Sequence, residues 1–229
     1  MATLLLRLAA PIQAWGAESK FEMRRTQGFP TKSGVIGLLA AALGYSREEP
    51  LDELNALRFG VRIDREGVYL RDYHTAHGKK DKDAYITNRF YLADAIFLVG
   101  LESSDTAFLQ TLQIALQNPV FPLFLGRRSC PPTMPMILGI REANLLSALR
   151  NEPWLLPEWR QRYADEEERA LRIITDADDM TGAALVRDRA VSFSQSHRKH
   201  TWRYATDHGY CIVAKKEAQT EHDAFAELG

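Results

Sequence analysis

An α+β fold is expected of this chain, and three features carry the expectation. Short apolar runs at Thr3 to Leu8, Phe59 to Ile63, Ala95 to Leu101 and Met136 to Ile140 have the length and composition of strands. Helix-period stretches lie between them, at Ser33 to Leu43 and Thr106 to Leu116. From Val68 to Leu92, two β-like arms flank the polar, Gly-containing tip HGKKDKD. The order is β-α-β, a hairpin, then β-α-β, which is the pattern of a ferredoxin-like or RRM-like unit with an inserted β-hairpin.

Each element has a local reason. The first strand ends at Pro11 and the turn at Gly16, and its one charge, Arg7, sits inside the apolar run. The first helix is apolar all round and holds Gly34, Gly37 and Ala40 to Ala42. Each Gly weakens a helix by up to about 1 kcal/mol, so these small residues predict a helix pressed close against a sheet. Thr31 and Ser33 can cap its start, and Gly44 can end it. A short helical piece is expected at Leu51 to Leu57. The second long helix has Phe108, Leu109, Leu112 and Leu116 on one stripe and is stopped by Pro119. A short helix should follow at Ala143 to Leu149.

Beyond Asn151 the pattern loosens. Strands are expected at Ala170 to Thr175, Val186 to Phe193 and Tyr210 to Lys215, and the tail from Glu217 reads as loosely held. The organisation expected is a single domain over 1–229, with the hairpin inserted at about 68–92 and a C-terminal β-rich extension at about 151–229.

Composition narrows the function. With 45% hydrophobic and 26% charged residues, the chain is neither a disordered nor a membrane sequence. No apolar run nears the roughly 18 residues of a membrane span, and the start lacks a signal-peptide layout, so a cytoplasmic protein is expected. Cys130 and Cys211 have no zinc-ligand spacing, His74 and His77 have no further metal-like neighbours, and no metal or other cofactor is expected. The net charge of −1 argues against binding nucleic acid by bulk charge. That figure conceals segregation, because cations cluster at Arg24–Arg25, Lys79–Lys80, Arg127–Arg128, Arg187 and the run His197–Arg198–Lys199–His200.

Several of these clusters could hold an anion. QGFPTKSGVIG resembles a nucleotide-binding loop, but Thr31 stands where the Walker A motif needs Gly, and only three residues separate Gly28 from Lys32. ATP binding is not expected there. A helix start with free N–H groups, the Ser33 hydroxyl and the Lys32 cation could still take one phosphate, or Lys32 could be a solvated residue beside a plain N-cap. Arg127 and Arg128, with Ser129, stand on a loop begun by Gly126 and stopped by Pro131, a layout suited to bidentate phosphate contacts.

On the hairpin, Tyr73 and His74 can stack on unpaired bases while Lys79 and Lys80 follow the backbone. The same group could instead serve a metal-free ribonuclease, with a His as general base. Arg187 and Arg198 lie among aromatic residues near the C-terminus, as a further RNA surface or as a partner-subunit surface. Trp15 reads as core, and Gln13, at the end of the first strand, can meet a ligand.

The segments LLLRLAAPIQAWG, FPTKSGVIGLLAAALG, LRDYHT, FLGRRSCPP and VRDRAVSF occur in this order from Leu4 to Phe193. In them the chain resembles the fifth family of CRISPR-associated proteins, of the RAMP superfamily, in the branch that serves the type I-E Cascade complex. The resemblance implies an RRM-like palm with the hairpin as thumb and no enzymatic role. It implies a subunit that binds and caps the 5′ handle of the CRISPR RNA, with the large PAM-reading subunit and the backbone filament subunit as partners. Target DNA would be met only through the complex, and guide pairing would read its sequence. Relatives that cut their own repeat RNA keep a metal-independent endoribonuclease as the alternative, and an assembly part that ignores RNA is a third reading.

Overall fold

The run ATLLLRLA is buried along almost its whole length, which a strand needs only when both of its faces are covered. In the computed structural model, which describes residues 1–16, 23–77, 84–165 and 169–213, this run is the strand β1 (Ala2–Ala9). Four two-residue strands follow: β2 (Ile12–Gln13), β3 (Trp15–Gly16), β4 (Met23–Arg24) and β5 (Thr26–Gln27). Helices α1 (Lys32–Leu43) and α2 (Asp52–Ala56) lead into the strands β6 (Arg58–Arg65), β7 (Val68–His77), β8 (Ala84–Ala93) and β9 (Ile96–Ser103). The chain continues through α3 (Thr106–Gln117), β10 (Ile137–Arg141), α4 (Leu145–Asn151) and α5 (Glu158–Gln161) to β11 (Ala170–Asp176), β12 (Ala184–Ser192) and β13 (Lys199–Ile212).

Seven strands form one antiparallel sheet in the order β10-β1-β9-β6-β11-β13-β12. Leu4, Leu6 and Leu8 face α1 and α3, which pack against each other, while Leu5 turns to the opposite side with Leu98, Ile173 and α4. Alternation along β1 therefore feeds two cores, and an all-apolar strand is the result. α1 lies close to the chain before it, as its small residues predict: a Cβ at Gly34 would come within 2.9 Å of the Trp15 ring. The Thr31 hydroxyl caps the helix by accepting from the Gly34 amide at 3.2 Å.

α4 covers β1, β9, β6 and β11 on the other face and is fastened there by Arg62, which is fully buried. The guanidinium donates to Asp64 at 2.7 and 2.8 Å and to the carbonyls of Leu149, Glu152 and Pro153 at 2.7, 2.6 and 3.0 Å. One of the carbonyls that the last turn leaves unpaired, that of Leu149, and two just past the helix end are thereby satisfied.

β7 and β8 pair from Val68↔Ala93 to His77↔Ala84, as the hairpin pattern predicts, and the tip with Lys79 and Lys80 lies outside the described residues. The C-terminal part differs more from expectation. β13 begins at Lys199, not near Tyr210, and runs to Ile212. Its inward residues include Arg203, so the strand's alternation carries a charge where the eye seeks an apolar residue.

Candidate nucleic-acid interface

The helix start does not present an open anion site. Lys32 and Ser33 are buried, and the Lys32 amide donates to Asp188 Oδ2 at 2.8 Å. Lys32 Nζ donates to Asp176 Oδ2 at 2.7 Å and to the carbonyls of Leu57 and Asn55 at 2.8 and 3.3 Å. Arg203 closes the group, donating to both Asp188 oxygens at 2.6 and 3.0 Å and to Asp176 Oδ1 at 2.9 Å. Two cations and two carboxylates thus neutralise one another beside α1. Burial pushes the Lys32 ammonium below its usual pKa, against the pull of Asp176. For Arg203 burial acts in the same direction, but Asp188 and Asp176 outweigh it and the pKa rises.

The phosphate role expected of Lys32 and Ser33 is corrected accordingly: the free N–H and the cation are both consumed inside the fold. Gln13 is corrected too. It is fully buried, with Nε2 donating to the carbonyls of Ala95 and Leu8 at 2.8 and 3.3 Å and Oε1 accepting from Trp15 Nε1 at 3.1 Å. Trp15 is fully buried and packs as core, away from any ligand surface.

The Gly-Arg-Arg loop is exposed and rigidly set. Gly126 has φ 87°, and a Cβ there would sit 1.7 Å from the Ala14 carbonyl oxygen, so only Gly fits on both counts. The turn is closed by Leu125 and Cys130, whose amides donate to the carbonyls of Cys130 and Arg127 at 2.7 and 2.9 Å, and both residues are anchored in the core. Arg127 stacks on the Tyr91 ring at 4.6 Å, and its Nη2 donates to the Arg24 carbonyl at 2.8 Å. Arg128 and Ser129 are exposed, with the Ser129 hydroxyl 3.8 Å from Cys130 Sγ.

This loop meets the base of the hairpin. β4 pairs in parallel with β8, setting Met23 beside Asn88 and Arg24 beside Arg89. Tyr73 is the cross-strand partner of Asn88, and Arg71 Nε donates to Asn88 Oδ1 at 2.9 Å. Tyr73 is 59% exposed, open enough to stack, and His74 Nε2 lies 2.8 Å from Asp72 Oδ2. Two guanidinium nitrogens of this region, Arg127 Nη1 and Arg89 Nε, are buried and have no hydrogen-bond partner among the described residues. The fold thus brings Arg24, Arg127 and Tyr91 together at the base of the hairpin, with Arg128 and Ser129 on the same loop, while Tyr73 and His74 stand farther along β7 and, as neighbours on a strand, point to opposite faces. Sequence reasoning named Arg71 beside Tyr73 and His74 but overlooked Arg89 and Tyr91, which stand across the hairpin from Asp72 and Leu70.

Arg187 and Arg198 belong to a separate place, on β12 and just before β13 at the far end of the sheet order. They lie near His200, whose pKa is lowered by burial and then by Arg198 and Arg187. Among the described residues, no group of three or more His, Cys, Asp or Glu forms a metal cluster, and no helix is long and apolar enough to cross a membrane.

The chain belongs to the Cas5 family: the model for the CRISPR-associated protein (Cas_Cas5) matches residues 3–206. Within that family it is 41% identical over 162 residues to the CRISPR system Cascade subunit CasD of Escherichia coli (strain K12), covering 62% of this chain and 72% of that protein. Two solved structures share the architecture. A chain from a CRISPR RNA-guided surveillance complex is 29% identical, with a TM-score of 0.78 over 99% of both chains. A Cas protein crystal structure is 39% identical, with a TM-score of 0.73 over 93% of this chain and 98% of its own.

Proposed function

We propose that this chain is the subunit of a type I-E CRISPR Cascade complex that binds and caps the 5′ handle of the CRISPR RNA, and that it does so without catalysis. Its likeness to CasD and to a chain of an RNA-guided surveillance complex supports the assignment. The observation that carries the site is the meeting of the Gly-Arg-Arg loop with its exposed Arg128, the exposed Arg24 and the hairpin base. Phosphates can take the arginines while bases stack on Tyr73 or His74.

The order β10-β1-β9-β6, with α1 and α3 on one face, supports reading the core as a ferredoxin-like palm and the hairpin as its thumb. An RRM binds RNA on the open face of its sheet. Here α4 and the buried Arg62 occupy that face, so RNA is directed to the thumb's base. The contacts of Lys79 and Lys80 rest on charge alone. The large PAM-reading subunit and the filament subunit are the partners this role requires, in a cytoplasmic ribonucleoprotein that meets target DNA through guide pairing.

Incubating the full chain with end-labelled repeat RNA in the absence of divalent metal tests the reading. The RNA should be bound and remain uncut. Cleavage that disappears in His74→Ala would replace this function by that of an endoribonuclease, with Asp72 orienting the base.

A further inference from the structure

Beyond α4 the sheet carries a face that no helix or strand covers among the described residues. Helix α4 packs over β1, β9, β6 and β11, while β13 and β12 continue past it. On β13, Arg203 and Ala205 turn inward to the buried charge group and the core, so Trp202 and Tyr204 point to the opposite side and are 53% and 43% exposed. Leu185, the direct partner of Tyr204, is exposed beside them, and Arg187 follows two residues later on the same strand.

The electrostatics of this face favour an anion. Asp188 of β12 and Asp176 of the neighbouring β11 point to the other face, where they pair with Lys32 and Arg203. Among the described residues, Asp207 of β13 pairs with Arg172, and Asp178 pairs with Arg58. Burial and then Arg198 and Arg187 lower the pKa of His200, two residues before Trp202 on β13, so both guanidiniums act on this end of the strand. Residues two apart on a strand are separated by about 6.8 Å, twice the ~3.4 Å rise between stacked bases. One base can enter between Trp202 and Tyr204, or one can stack on each.

We infer that the open face of β12 and β13 is a second binding site, for single-stranded nucleic acid, with Trp202 and Tyr204 as the stacking platform and Arg187 and Arg198 as phosphate partners. It is distinct from the hairpin base and does not depend on the handle reading. A more distal part of the guide RNA and a displaced DNA strand offer the same chemistry.

The test uses the full chain in an Arg127→Ala/Arg128→Ala background, which weakens the hairpin-base surface, and labelled 15-nucleotide oligo(dT) and oligo(rU) as probes. Trp202→Ala and, separately, Tyr204→Ala should weaken binding of at least one probe by about 5- to 150-fold, the range for loss of one stacked base, whereas Trp202→Phe should lose far less. The probe that responds identifies DNA or RNA as the source. Both side chains are exposed, so melting temperatures should stay unchanged. Oligonucleotide affinities that are the same in all variants would overturn the site. Unchanged affinities with impaired assembly into the complex would make this face a protein-docking surface instead. Handle affinity, read in the parent chain with Arg128→Ala, reports on the proposed function separately.

Discussion

Lys32→Ala should lower the stability of the chain by about 3 kcal/mol or more, because it leaves the buried Asp176 without one of its two cations. The loss stays near the lower end for a broken buried pair, since Asp176 keeps Arg203 and the Phe59 amide at 2.9 Å. Lys32→Met fills the same space and should cost a similar amount, whereas Lys32→Met combined with Asp176→Asn should recover part of it by removing the excess negative charge left in the group. Urea denaturation followed by circular dichroism measures the series. A lysine that served RNA phosphate would behave in the opposite way, with unchanged midpoints and weakened handle binding.

Arg62→Ala should cost more, about 3–5 kcal/mol, corresponding to a fall in melting temperature of about 10–15 °C for a chain of this size. Its side chain and that of Asp64 are both fully buried, and among the described residues the Asp64 carboxylate would retain only the Leu155 amide at 2.9 Å. Burial already drives the Asp64 carboxyl upward in pKa against the opposing pull of Arg62, so removing the guanidinium leaves an unfavourable buried charge. Three carbonyls at the end of α4 would lose their donor as well. Calorimetry should therefore show the drop, and hydrogen exchange should place the loosened amides in α4 and β6. A shift in melting temperature of less than about 3 °C would mean that Arg62 does not hold α4 to the sheet.

The parts of the fold that were legible in the sequence are those set by neighbours along the chain. Thr31 caps α1 because a hydroxyl three residues before an amide can reach it, and that spacing is visible in TKSG. The hairpin register follows from two alternating arms of matched length. The fate of Lys32 was not legible. Its carboxylate partner stands 144 residues away, and the one that caps its amide stands 156 away. VRDRAVSF suggested cations for RNA, yet its Asp188 is the residue that closes the helix start. Arg127 and Arg128 were readable as a paired-arginine loop on a glycine. That Tyr91 and Arg24 would receive Arg127 depended on β8 and β4 meeting in space.

The dependence of handle-RNA affinity on salt separates the two candidate phosphate sites most directly, measured for the unaltered chain, Arg128→Ala and Lys32→Met. With the RNA at the hairpin base, Arg128→Ala should weaken binding and flatten the slope of log affinity against log salt by about 0.7, one single-strand phosphate contact. Lys32→Met, assayed where it remains folded, should keep the unaltered slope. A slope untouched by Arg128→Ala but flattened by Lys32→Met would return the phosphate to the helix start and contradict the interface described above.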